Sequence, residues 1–164
     1  MEFIIIGALV LLVVFAVGQY NRLVRLNIQV DEAFAQIEVQ LKRRADLIPN
    51  LVETVKGYAA HEQSTFDAVV AARAKSTSAS TVADVAAADG ALTNALRGLL
   101  AVAEAYPDLK ASANFLSLQE ELSTTENKVS FSRQFYNDTV RALNTAVVTA
   151  VSYTHLTLPT KRIV

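Results

Sequence analysis

The chain has no cysteine and no tryptophan, and only five glycines, three prolines and two histidines among 164 residues. Without cysteine there is no disulfide framework, no thiolate nucleophile and no zinc-finger spacing, and the redox compartment leaves no mark on the sequence. Scarce glycine and proline give little punctuation for short strands, and with abundant alanine they point to long helices. An excess of charge is missing too. Fifteen Lys and Arg oppose sixteen Asp and Glu, for a net charge of −1 and a pI near 6.1. No whole-protein field draws a polyanion, which argues against nucleic acid as a partner. A Gly-rich phosphate loop, GxSxG, HExxH and paired ExxH are all absent, so neither catalysis nor a cofactor is expected.

What the chain does have is FIIIGALVLLVVFAVG, Phe3 to Gly18, uncharged throughout. As a helix these sixteen residues span about 24 Å against a hydrocarbon core of about 30 Å, and Met1, Gln19 and the amphipathic Tyr20 nearly close the gap. Residues 1–20 are read as a single transmembrane anchor. The rival is a cleaved signal, because Ala16-Val17-Gly18 offers small residues for cleavage, which would leave a secreted or periplasmic domain. Against it, Glu2 is the only charge before the run, while Arg22 and Arg25 follow it. That bias places the amino terminus outside and the remainder in the cytoplasm, as an integral single-pass protein of the cell membrane.

Residues 21–150 carry apolar stripes near a period of 3.5, which is helical and not strand-like. The first stripe, Leu23, Val30, Ile37 and Arg44 with Phe34, Leu41 and Ile48, is expected to stop at Ile48-Pro49. Asp46 is the candidate N-cap of a second helix bearing Val52, Val55, Ala59, Glu62, Phe66, Val69 and Arg73. Lys75 to Asp84, rich in Ser and Thr, reads as the clearest linker. Gly90 weakens the start of a third stripe, Val85, Leu92, Leu99 and Tyr106, so that helix is expected from Asp89. A fourth follows Ser112 from Phe115 to Val147. The fold class is all-α: a single N-terminal transmembrane helix followed by an antiparallel up-down-up-down four-helix bundle. On that count the corner at Asp46 to Pro49 stands roughly 40 Å from the bilayer.

Candidate site residues follow from this layout. Lys42, Arg43, Asp46 and Asn50 form an exposed docking surface at the corner, with Arg44 turned to the core. Glu62 occupies a stripe position, and a buried carboxylate needs a partner, for which Arg133 or Lys128 is available. YNRLVRLN and YNDTVRALN echo each other, and Tyr20-Asn21 with Tyr136-Asn137 read as a polar clasp between the first and last helices, or as a site for a lipid headgroup or a partner's transmembrane helix. A metal site from His61, Glu62, Glu104 and Glu126 lacks the histidines that di-metal bundles use.

Four blocks, YNRLVRL (20–26), VQLKRRADLIPNLVETVKGYAAHE (39–62), LLAVAEAYPDLKASANF (99–115) and LQEELSTTENKVSFSRQFYNDTVRALN (118–144), resemble the LemA family of bacterial membrane proteins in order and spacing. The resemblance covers roughly residues 20–148. It implies one amino-terminal anchor and a four-helix bundle, and it supplies no reaction. Ser112 departs from the family's usual Asn and Leu143 from its usual Tyr. The closing VSYTHLTLPTKRIV departs from the family's Phe-Pro and apolar tail and resembles a translated transposase-type sequencing adapter, so residues 151–164 are set aside from fold reasoning and the natural carboxyl end is expected to differ. The expectation is a membrane-anchored scaffold with a protein partner. The alternative is a small-molecule or metal-binding bundle.

Overall fold

The structure, a computed structural model, describes residues 1–151. The set-aside tail from Ser152 onward lies outside them. The described residues are helical almost throughout and contain no strand. The elements are α1 (Glu2–Lys56), α2 (Gln63–Ser78), α3 (Val82–Glu104), α4 (Pro107–Lys110) and α5 (Ala113–Val151). Two compact units emerge among the described residues, one of residues 1–35 with 132–151, the other of residues 36–131.

The first correction concerns α1, which does not stop at Ile48-Pro49 but runs unbroken through Pro49 to Lys56. Asp46 is therefore no N-cap; it lies inside the helix. A proline in a helix interior deprives the carbonyl four residues back of its donor and costs about 3 kcal/mol. Here that carbonyl is Ala45's, and Arg73 of α2 donates to it through Nε at 2.8 Å. The helix survives because a side chain from elsewhere replaces the missing amide.

The real corner comes at Gly57 to Glu62. The amides of Gly57 and Ala59 still reach back to the carbonyls of Glu53 and Val55, after which the chain turns into α2. The expected linker is also shorter than its composition implies. Thr77 and Ser78 donate their hydroxyls to the Ala74 and Lys75 carbonyls and finish α2 instead of stopping it. Only Ala79 to Thr81 separate α2 from α3. Thr81 caps α3: its hydroxyl accepts the Asp84 amide at 3.1 Å and donates to the Asp84 carboxylate at 2.6 Å. The helix thus starts at Val82, ahead of Asp89, and Gly90 is carried in its interior. Pro107 opens α4, a position where a missing amide is harmless.

In the unit of residues 36–131, one buried cluster joins Ile48, Leu51, Val52 and Val55 of α1 to Phe66 and Val69 of α2. Leu92, Leu96 and Leu99 of α3, Leu109 of α4, and Phe115 and Leu122 of α5 complete it. Burying a Leu, Ile or Phe side chain is worth about 1.5–3 kcal/mol, and this cluster is the principal hydrophobic support of the unit.

In the other unit, Phe34 of α1 meets Tyr136 of α5, with ring centroids 5.8 Å apart and tilted by 55°. Val30, Ala33, Val140 and Leu143 are buried with Tyr136. Ser132 and Thr139 are buried on the same α5 face, and the Thr139 hydroxyl donates to the Phe135 carbonyl at 2.8 Å, so its burial leaves no unmet donor. From Phe3 to Gly18 every residue of α1 is exposed, and the helix that carries them, Glu2–Lys56, is long and apolar enough at its amino end to cross a membrane.

Candidate interaction site

A run of apolar positions on α1 brings Arg44 into the interior, at the height of the α3 segment that begins with Asp89. The guanidinium Nη1 donates to Asp89 Oδ1 at 2.7 Å and to Thr93 Oγ1 at 3.0 Å. Nη2 lies 3.8 Å from Glu126 Oε1 of α5. The Arg44 and Asp89 side chains are 3% and 9% exposed, whereas Glu126 is more than half exposed. Arg44 and Asp89 therefore form a desolvated pair, and Glu126 adds a weaker, solvent-screened attraction at the edge. Nε of Arg44 is buried without a hydrogen-bond acceptor, which leaves the pairing to the two Nη nitrogens.

On the adjoining face of α1 lies a groove of 330 Å³. Glu38, Leu41, Lys42, Ala45 and Asp46 line it on the α1 side, Ser76, Thr77 and Ala79 at the end of α2, and Val85 on α3. Its floor is apolar, since Leu41, Ala45 and Val85 are buried, and its α1 rim alternates acid, base and acid at one-turn spacing. Such a surface can bind by shape and complementary charge. No group of three or more His, Asp and Glu lies together among the described residues, and His61 is exposed.

The sequence-predicted residues fall as follows. Lys42 and Asp46 reach the groove, and Arg43 and Asn50 are exposed elsewhere on α1; all four sit within a continuous helix and not at a corner. Glu62 is not a buried stripe residue. It is half-buried at the N-cap position of α2, makes no side-chain cap, and forms no ion pair with Lys128 among the described residues. The turn at Gly57 breaks the period that assigned it to the core. Arg133, in the other unit, is half-buried. Tyr20 and Asn21 are exposed, Asn137 is half-buried, and Tyr136 is buried against Phe34, about 21 Å along α1 from Tyr20. Tyr20 and Tyr136 are thus at different heights of α1.

Asp89, Thr93 and Arg73's target were missed. Asp89 had a signal, because it falls between Val85 and Leu92 on the buried face of α3. A carboxylate on one buried face and an arginine on another are each other's natural partners.

These features sit inside a region with relatives. The LemA family pattern matches residues 33–155, three quarters of the chain. The chain belongs to the LemA family. A curated relative, Protein LemA of Metamycoplasma hominis, is 26% identical over 134 residues, which cover 81% of this chain and 61% of the relative. The chain therefore spans about six-tenths of that LemA protein's length. Arg44, Arg73, Asp89 and Glu126 all fall within the segment matched to the LemA family.

Proposed function

We propose that this LemA-family chain is a membrane-anchored interaction module, not an enzyme, which holds a protein partner on the α1 surface around Lys42 and Asp46. The observation that carries the reading is α1 itself. One helix bears a wholly exposed apolar stretch at its amino end and a groove with a charged rim in its second half. An apolar stretch of that length with no buried residue is at home in lipid, and Arg22 and Arg25 after it favour an outside amino terminus with the groove in the cytoplasm. The packing proposed for residues 36–131 is an antiparallel four-helix bundle of α1, α2, α3 and α5, supported by a buried cluster to which all four contribute.

The test is affinity capture of the full-length protein from its own membranes, in parallel with Lys42→Glu/Asp46→Lys. Both side chains are exposed, so the variant should melt as the parent does. Reversing both charges places like against like at a complementary interface, and recovery of the specific partner should fall about tenfold or more. Equal recovery with both proteins contradicts the assigned surface, and the absence of any reproducible partner contradicts the scaffold role.

A further inference from the structure

The contact between Arg73 and the Ala45 carbonyl does more than join two helices. Pro49 has no amide hydrogen to give that carbonyl, and Ala45 is buried while α2 is docked, so Arg73 supplies the donor that the helix itself lacks. The unbroken passage of α1 through Pro49 therefore depends on α2 being docked. Few side chains of α2 enter the core: of its sixteen residues Phe66, Val69 and Ala72 are buried, against seven of twenty-three in α3. Short non-helical connections flank it, residues 57–62 on one side and 79–81 on the other. Few buried apolar side chains between two short connections are the marks of a segment that opens by itself before the rest of a domain.

We propose that α2 is a releasable strap with Arg73 as its latch, and that its release breaks α1 at Pro49. When Arg73 leaves, nothing from the protein offsets the cost of a proline in the helix interior, and Ile48 is free to adopt the extended conformation favoured before proline. Undocking of α2 and breaking of α1 are then one event. Release also removes Ser76, Thr77 and Ala79 from one wall of the groove and uncovers Leu41 and Val85. The device does not require that the groove hold a partner.

Amide hydrogen exchange of the full chain in detergent micelles tests it. In the unaltered protein, the amides of α2 and those of Asn50 to Val52, which span the break, should exchange through one shared opening that is faster than the opening of residues 118–129 in α5. Arg73→Met should accelerate both sets by the same factor, about 10- to 100-fold, the range expected when a charge-assisted hydrogen bond is lost. Residues 118–129 should be unaffected. Adding Pro49→Ala to Arg73→Met restores an amide donor to Ala45, so Asn50 to Val52 should recover while α2 stays fast. Different factors for α2 and Asn50 to Val52 would overturn the proposal, as would uniform acceleration of all helices. Should Arg73→Met fail to fold, the comparison of opening rates in the unaltered chain decides by itself.

Discussion

Asp89→Ala is expected to destabilise the unit of residues 36–131 by about 3 kcal/mol, the lower end of the 3–5 kcal/mol seen when one partner of a buried ion pair is removed. The loss arises because the Arg44 guanidinium stays in the interior with its 2.7 Å partner gone. Two neighbours keep the cost from the upper end. Thr93 still accepts from Nη1, and Glu126, already 3.8 Å from Nη2 and more than half exposed, can swing inward. Replacing both partners, as Arg44→Met/Asp89→Leu, removes the charges together and should leave stability near the parent's or raise it by about 1–4 kcal/mol. Chemical denaturation in micelles, followed by far-ultraviolet circular dichroism, measures both. An Asp89→Ala protein within about 1 kcal/mol of the parent contradicts the assignment of a desolvated pair.

The second large effect belongs to the exposed apolar end of α1. Twelve Leu, Ile, Val and Phe residues stand between Phe3 and Val17. At about 0.3–0.6 kcal/mol each they favour insertion by roughly 4–7 kcal/mol. Arginine at the centre of a span costs about 2.5–3.5 kcal/mol, so Val10→Arg/Leu11→Arg should cancel the whole preference. Carbonate-washed membranes are expected to retain the parent and release the variant. The mass of the retained parent distinguishes an anchor from a signal, since cleavage after Gly18 would remove the run. A variant that stays in the washed membrane would show that some other segment holds the protein there.

How much of the fold is legible in the sequence depends on the range of the interaction involved. The stripes are local, and most of their positions are buried, although Leu23, Glu62, Arg73 and Tyr106 are only half-buried. Val30, Ile37 and Arg44 on α1 are buried, as are Phe115, Leu122, Val129, Tyr136 and Leu143 on α5, because seven-residue spacing keeps one helix face inward. Arg44 was readable as interior; its partner was not, because Asp89 lies 45 residues away and nothing local ties the two. Pro49 was misread for the same reason. Local rules end a helix there, and the donor that overrides them, Arg73, comes from another helix 28 residues beyond Ala45. By composition the Ser- and Thr-rich stretch reads as a linker, whereas its hydroxyls bond to the backbone at the end of α2 and the start of α3. Glu62 failed because one period was extended across a turn. Lys42 and Asp46 share a groove, which lies along the side of a helix and not at a tip.

The continuity of α1 through Pro49 underlies the groove, the buried pair and the strap, and it can be measured directly. Because the chain has no cysteine, Val39→Cys/Glu53→Cys provides the sole attachment points for two spin labels, and both parent residues are exposed. Electron paramagnetic resonance should report a separation between labelled backbone positions of about 21 Å, fourteen residues of unbroken helix at 1.5 Å each. A chain that turned at Asp46 to Pro49 would fold the two positions back beside each other at about 10 Å, the spacing of packed antiparallel helices, and that result would contradict the account.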